Sequence, residues 1–284
     1  MNKEALARRA MTAALQTRQH HAKARLWESI CPYDLAARMG IEVQFHAISS
    51  LEAFYFKINP PLIMIGTQRP AGRRAYNAAH EIGHHVLGHG TTVHQLRAEH
   101  DAKPATNPKE FLADVFASFL LMPKLAVSKA FTDRRLDPSS VTADDLYRIA
   151  CYFGVGYTTI IFHLQHNLAM LTNDQADALR KATPKQLRTS FTDQPSTELL
   201  VVDEQWIGRP ADIRIDDLLL LPHGTTIDGA ALAITDSEHG LVARGVTPGI
   251  ARLTSSNETW SLFARVSRHE YVGRSIFRHE PEEP

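Results

Sequence analysis

The segment His80-Glu81-Ile82-Gly83-His84 limits the fold of this 284-residue chain more than any other feature of its sequence. The residues around it, from about Arg73 to Leu87, are typical of a helix, and the helix-ending residues Gly88 and Gly90 follow. In an α-helix, residues four apart point in directions that differ by about 40°. The sequence therefore predicts a helix that holds both histidine side chains on one face.

The residue types in this segment suit a metal centre. The imidazole nitrogens of His80 and His84 can bind one metal ion at about 2.0–2.1 Å. Glu81 lies about 100° around the helix from His80, so it is a candidate general base for a water at the metal rather than a ligand. Gly83 has no side chain, which predicts an open helix surface where a substrate backbone would approach.

A catalytic zinc site takes three protein ligands and leaves one position for water. The metzincin pattern, with Gly three and His six residues after the second histidine, fails because Leu87 and Gly90 occupy those positions. Glu110 is the better candidate ligand, since it lies in a second predicted helix, about Pro108–Leu121. Asp114, one turn later, is the candidate acceptor for the outer nitrogen of a zinc-bound histidine. This donor set predicts Zn²⁺, and Mn²⁺ or Fe²⁺ would also suit it.

Other residues near this segment have weaker claims. Tyr76 lies one turn before His80 on the same side, so it is a candidate contact to the substrate or transition state, although packing is the simpler interpretation. The strand predicted at Leu62–Ile65 could pair with an extended substrate, or it could form the core of a sheet. Four further histidines are interpreted as partly exposed loop residues: His85, His89, His94 and His100.

Net charge and cysteine content exclude several classes of protein. The chain carries 31 basic and 31 acidic residues, so charge alone implies no polyelectrolyte partner. From Asp193 onward the chain has eight Arg, no Lys and fifteen Asp or Glu, so this part has a net charge of −7. The preceding residues have a net charge of +7, and this asymmetry indicates two modules. Cys31 and Cys151 form no CxxC pair that would favour a cysteine zinc site. With neither a signal-peptide pattern nor about 18 consecutive apolar residues, a cytoplasmic protein without a membrane span is expected.

The order of the predicted elements indicates an α+β fold with three parts. Residues 1–135 are expected to form the domain that holds the predicted metal centre, and this domain begins with a basic helix at residues 3–29. Residues 136–192 are expected to be a helical, helix–turn–helix-like extension. Residues 193–284, after a linker at 194–196, contain short apolar runs between Gly, Pro and Asp turns, which predicts a β-rich C-terminal domain.

The helix–turn–helix-like pattern itself covers residues 143–167. Its apolar positions and the turn at Gly154 match the hydrophobic skeleton of that motif. A DNA-binding helix also needs cations for the phosphates, and the second helix, Tyr157–His166, contains no Lys or Arg. Packing or partner docking is therefore favoured over DNA binding.

Two stretches of the chain resemble the ImmA/IrrE family of metallo-endopeptidases. One runs from Arg74 to Leu87, and the other runs from Glu110 to Pro123 and ends in Leu-Met-Pro. The similarity extends over about residues 30–165 and includes the gluzincin arrangement, in which a Glu-x-x-x-Asp helix follows His-Glu-x-x-His.

The resemblance implies a fold, a set of site residues and a function. In a zincin fold of this kind, His80, His84 and Glu110 would bind the metal and Glu81 would be the general base. Members often have Asn where this chain has Asp114, and either side chain can accept a hydrogen bond. Members typically cleave a helix–turn–helix transcriptional repressor and thereby switch on stress or mobile-element genes.

The predicted function is therefore a zinc-dependent endopeptidase with a helix–turn–helix repressor as its substrate. Two alternatives from other classes stay open at this point. One is a DNA-binding regulator that uses residues 143–167 and keeps its metal as a structural or sensory group. The other is an interaction protein that binds partners through its β-rich domain.

Overall fold

The computed structural model describes residues 2–22, 25–95, 107–194, 197–206, 209–235 and 240–281, with the backbone alone at residues 93–95. His100 and positions 195–196 of the predicted linker lie outside these residues. The described residues confirm an α+β structure, and the chain divides into two compact units. The first unit is Met1–Ala126 with Glu270–Phe277, and the second is Val127–His269 with Arg278–Pro284.

Helices dominate the middle of the chain and strands its C-terminal part. The helices are α1 (Lys3–His21), α2 (Pro32–Arg38), α3 (Ala71–Val86), α4 (Pro108–Leu121), α5 (Lys124–Asp133), α6 (Ala143–Phe153), α7 (Tyr157–Phe162), α8 (Asn173–Arg180) and α9 (Pro184–Thr189), with a π-helical turn at His163–Asn167 and a 3-10 turn at Ser275–Phe277. The strands are β1 (Glu42–His46), β2 (Leu51–Phe56), β3 (Leu62–Gly66), β4 (Thr92–Gln95), β5 (Leu199–Val201), β6 (Ala211–Arg214), β7 (Leu218–Leu221), β8 (Thr225–Asp228), β9 (Leu232–Thr235), β10 (Leu241–Gly245), β11 (Gly249–Ser255), β12 (Ser261–Ser267) and β13 (Gly273–Arg274).

A five-stranded sheet in the order β13-β1-β3-β2-β4 forms the base of the first unit. β3 runs parallel to β1 and antiparallel to β2, so both of its edges are occupied. The prediction that the strand at Leu62–Ile65 could pair with a substrate is therefore wrong, and its alternative, a strand in the sheet core, is confirmed by the full burial of Ile63 and Ile65. β4, which has no clear signal in the sequence, is an outer strand of this sheet in the described part of the chain.

α3 packs against this sheet, and α4 packs against α3. Gly83 lies at the contact between the two helices. A Cβ atom at this position would be 3.0 Å from Cδ1 of Phe116 and 3.3 Å from Cα of Ala113. The prediction that Gly83 leaves the helix open to a substrate is therefore wrong, because the glycine instead lets the two helices approach each other closely.

The predicted bounds of α4 are confirmed, and those of α1 are not. The side chain of Asn107 accepts a hydrogen bond from the backbone N–H of Lys109, and Pro108 occupies the first helical position, so both residues favour a helix start here. α1 ends at His21 rather than at residue 29. The reason is the buried guanidinium of Arg18, which donates to the carbonyl oxygens of Leu120 and Leu26, so residues 25–30 fold back along the helix.

The helical stretch Pro108–Asp133 is long and apolar enough to cross a membrane by length and composition alone. Of its most apolar window, 72% is buried inside the protein. Met122 and Pro123 interrupt the stretch between α4 and α5, and the buried carboxylate of Glu110 lies in its first turn. These features are those of a core helix.

The second unit combines helices α6 to α9 with two four-stranded sheets, in the orders β5-β7-β10-β9 and β6-β12-β11-β8. The apolar runs that the sequence predicts as strands form β5, β7, β9, β10 and β12. The sequence does not predict the strands β6, β8 and β11, because polar or charged residues interrupt their apolar sequence. The Tyr147 hydroxyl of α6 donates to the Leu199 carbonyl of β5 at 2.8 Å. Helices and strands thus pack against each other within the second unit. The predicted division of the chain into domains at residues 135 and 192 stays a prediction.

The C-terminal segment Glu270–Phe277 belongs to the first unit rather than to the β-rich part. β13 pairs antiparallel with β1, with Gly273 opposite Phe45. The ring of Tyr271 also meets the ring of Phe45 edge-on, with centroids 6.3 Å apart. A truncation that removed residues 193–284 would therefore also remove an outer strand of the first sheet.

Asp212 on β6 is a buried anion in the second unit. Its carboxylate accepts hydrogen bonds from Arg265 at 2.6 and 2.7 Å and from Arg278 at 3.2 Å. Burial opposes ionisation, but the guanidinium groups of Arg278 and Arg265 hold the pKa of Asp212 well below its ordinary value. We expect Asp212→Asn to lower the free energy of unfolding of this unit by about 3 kcal/mol at pH 7, because two largely buried cations lose their counter-charge.

The same ion cluster predicts a pH dependence of stability. Because the folded-state pKa of Asp212 lies below the unfolded value of about 3.9, its stabilisation is present above about pH 5 and is lost as the pH falls below that value. Urea unfolding followed through the fluorescence of the buried Trp206 should show a smaller difference between wild type and Asp212→Asn at pH 3 than at pH 7. Asp216→Asn, at an exposed position in the same unit, is the control. An equal difference at both pH values would contradict the expectation.

Candidate metal centre

Side chains from α3 and α4 converge in the first unit. The Nε2 atoms of His80 and His84 are 3.0 Å apart, and oxygens of Glu110 lie 3.4 Å from the first and 3.7 Å from the second. At most 12% of any of these side chains is exposed. One helical turn separates the two histidines on α3, and the close contact of α4 at Gly83 brings Glu110 to them.

The donor atoms of this cluster fit a metal ion. Three ligand atoms bound tetrahedrally at about 2.1 Å from one ion lie about 3.4 Å from each other. The two Nε2 atoms are 3.0 Å apart, Oε2 of Glu110 lies 3.4 Å from His80, and Oε1 of Glu110 lies 3.7 Å from His84, so all three distances are near that value. His80, His84 and Glu110 thus form a group in which each residue offers one ligand atom to a common point. Two imidazoles and a carboxylate suit zinc, and they also suit manganese or iron.

Asp114 lies behind His80, as its position one turn after Glu110 predicts. Its Oδ1 is 2.9 Å from Nδ1 of His80, the ring nitrogen that faces away from the cluster. Burial opposes a charge on His80, but hydrogen bonds to Asp114 and Glu110 raise the pKa of His80 to about 10. The carboxylates of Asp114 and Glu110 therefore stabilise a positive charge at His80. A metal cation bound to His80 would provide such a charge.

Glu81 is buried beside the cluster, with 1% of the residue exposed. The hydroxyl of Thr92 on β4 donates to Oε2 of Glu81 at 3.0 Å. Burial raises the pKa of Glu81 to about 7, although His80 and the Thr92 hydroxyl act in the opposite direction. A carboxylate with a pKa near neutrality can both accept and return a proton, which is the requirement for general acid–base catalysis.

The comparison with known families agrees with this geometry. Residues 36–165 match the model of the Peptidase M78 family, which is described as the IrrE N-terminal-like domain. This part of the chain is an M78 domain. The match confirms the resemblance to the ImmA/IrrE family and identifies a metallopeptidase type of domain that contains the whole cluster. No curated protein matches the sequence significantly.

Tyr76 connects the two helices of the M78 domain that carry the cluster. Its hydroxyl donates to the backbone carbonyl of Asp114 at 3.1 Å and lies 3.3 Å from Oγ of Ser118. Burial is the main cause that raises the pKa of Tyr76 well above its ordinary value, so the phenol stays neutral. These contacts are those of a packing residue. A direct contact between Tyr76 and the substrate stays a prediction.

The remaining histidines near the cluster differ in their surroundings. His85 lies in α3 rather than in a loop as expected, and its Nδ1 is 2.8 Å from the Tyr55 hydroxyl, away from the cluster. Nδ1 of His89 is 2.9 Å from Nδ1 of His84, so this residue, which is partly exposed and lies in a loop as expected from the sequence, also contacts the cluster directly. The signal for this contact is the pair Gly88 and Gly90, because their positive φ angles of 70° and 82° let the chain turn back after α3. The side chain of His94 lies outside the described part of the chain.

The helix–turn–helix-like pattern forms α6, a left-handed turn at Gly154, and α7, which continues into a π-helical turn. Tyr157, Ile160 and Ile161 of α7 are buried in the second unit. The exposed side chains of α7, Thr158 and Phe162, carry no positive charge, and the partly exposed Arg148 of α6 lies over the ring of Phe191. The segment thus offers packing surface and no cationic face for phosphates, in the part that the structure describes.

Proposed function

We propose that this protein is a zinc-dependent endopeptidase with a zincin-like catalytic domain, which cleaves a helix–turn–helix transcriptional repressor in the cytoplasm. The observation that carries the proposal is the buried cluster of His80, His84 and Glu110 with Glu81 beside it. In this assignment the first three residues hold the metal, Glu81 is the general base, and Asp114 orients His80. The substrate class and the stress or mobile-element response rest on the resemblance to the ImmA/IrrE family.

The residues of the chain have separate tasks in the proposed reaction. A zinc ion held by the cluster would polarise the scissile carbonyl and make a neighbouring water more acidic. Glu81 takes a proton from the attacking water, since its carboxylate lies buried beside the cluster. Glu81 then gives the proton to the departing amine. The hydroxyl of Thr92 donates a hydrogen bond to one oxygen of the Glu81 carboxylate and so helps to fix its orientation.

β4 is the candidate strand for substrate binding in place of β3. It is an outer strand of the sheet in the described residues, and its Thr92 contacts Glu81 directly. An extended peptide that pairs with an outer strand is held by main-chain hydrogen bonds, which require no particular sequence. A substrate bound there would place a peptide bond next to the general base.

Metal removal tests the proposal. The purified chain would be stripped with a chelator, and its zinc content and cleavage of candidate helix–turn–helix repressors would be measured before stripping, after stripping and after zinc is returned. We expect about one zinc per chain, loss of cleavage with the metal, and recovery of both. A chain that takes up no zinc even when zinc is supplied in excess would contradict the proposal. A zinc-loaded chain that binds the repressor DNA site but cleaves no repressor would favour the DNA-binding alternative.

A further inference from the structure

His89 lies in a turn that is built against the end of α3. Its backbone N–H donates to the carbonyl oxygen of His84 at 3.0 Å, and its own carbonyl oxygen accepts from Nζ of Lys109, the neighbour of Glu110 on α4, at 3.2 Å. The positive φ angles of Gly88 and Gly90 on either side make this tight turn possible. The backbone of His89 is therefore fixed with respect to both helices that carry the cluster.

The ring of His89 contacts the outer side of the His84 ring. The two Nδ1 atoms are 2.9 Å apart, and the rings meet edge-on with centroids 4.9 Å apart. Nε2 of His84 faces His80 and Glu110 on the opposite side. His84 is fully buried, so its ring orientation depends on such protein contacts.

The chemistry of imidazole decides which of the two histidines, His84 or His89, donates the hydrogen bond between them. A neutral imidazole carries one N–H, and a metal binds to the nitrogen without a proton. If Nε2 of His84 is a ligand, its proton must be on Nδ1, and Nδ1 of His89 must be the acceptor. Asp114 occupies the corresponding place behind His80. The two ligand histidines thus have different outer partners, a carboxylate for His80 and an imidazole for His84.

We propose that His89 is a positioning residue that accepts a hydrogen bond from His84 and fixes the metal-binding tautomer and orientation of that ring. This inference rests on the proposed function, because it assigns His84 to a metal. Outer partners of this kind typically change metal affinity by about 10–100-fold when they are removed. His89 acts through His84 and has no contact with substrate in this proposal.

Three single variants of the full chain separate hydrogen bonding from packing. His89→Leu keeps most of the side-chain volume and removes the acceptor. His89→Asn keeps an acceptor, because its side-chain oxygen can occupy the place of Nδ1. His85→Leu is the matched control, since it removes a neighbouring histidine whose hydrogen bond is with Tyr55 and not with the cluster. The zinc dissociation constant of each metal-free protein would be measured by competition with a chelator of known affinity, and its melting temperature would be recorded.

We expect His89→Leu to weaken zinc binding by about 10–100-fold, while His89→Asn and His85→Leu stay close to wild type. Zinc affinity of His89→Leu equal to that of wild type would overturn the inference. An equal loss in His89→Leu and His89→Asn would also overturn it, because the ring volume and not the acceptor would then be responsible. If wild type itself bound no zinc, the metallopeptidase proposal would fail, and this inference would fail with it.

Discussion

Replacing Glu81 by Gln should lower the rate of repressor cleavage by about 10³-fold and leave the bound zinc unchanged. A glutamine has nearly the same shape and can still accept the hydrogen bond from Thr92, but it cannot take a proton from the attacking water. General acid–base groups contribute about 10²–10⁴-fold to enzymatic rates, and the burial of Glu81 beside the cluster supports a value in the upper part of that range. Zinc-loaded wild type and variant would be compared by the initial rate of product formation, with zinc counted in both.

Two further Glu→Gln variants define what the result means. Glu110→Gln removes a proposed ligand and should lose zinc and cleavage together, whereas Glu81→Gln should lose cleavage alone. Glu4→Gln changes an exposed residue of α1 and should keep both. Cleavage at the wild-type rate by zinc-loaded Glu81→Gln would remove Glu81 from the mechanism. It would leave the metal cluster intact as a structural or sensory site, which is the alternative that the sequence also allows.

The sequence is sufficient to predict the helices of the site because strong local signals mark them. The bounds of α4 follow from Asn107 and Pro108 at one end and from Met122 and Pro123 at the other. The pairing of His80 with His84 follows from helical geometry alone, and the contact of Asp114 with His80 follows once α4 is placed against α3. These features depend on neighbours in the sequence or on a single helix contact.

The features that the sequence does not reveal depend on tertiary contacts. β13 and β4 are short, and each is a strand only because a longer strand of the sheet lies beside it. Gly83 is ambiguous from the sequence, because a glycine on a helix can face either a substrate or a second helix, and only the position of α4 decides between them. His89 is one of several histidines after α3, and a tight turn distinguishes it from the others.

Replacing Gly83 by Val should lower the free energy of unfolding of the first unit by about 2–3 kcal/mol and weaken zinc binding. The Cβ atom would lie 3.0 Å from the ring of Phe116 and 3.3 Å from the backbone of Ala113, so α4 would have to move away. Overpacking of a closed core costs about 1–3 kcal/mol, and the small gain in helix propensity over glycine does not offset it. Because α4 carries Glu110, its movement would lengthen the separations of 3.4 and 3.7 Å from the histidines.

A double-mutant cycle with Phe116 tests whether this crowding is the cause. Gly83→Ala, Phe116→Leu and the combined variant would be compared with wild type by urea unfolding and by zinc affinity. Phe116→Leu alone should be destabilising because it leaves a cavity in the fully buried core. In the combined variant the added methyl group can enter that space, so the cost should be smaller than the sum of the two single costs. Strictly additive costs, with zinc affinity unchanged throughout, would mean that Gly83 does not set the spacing of the two helices that form the metal site.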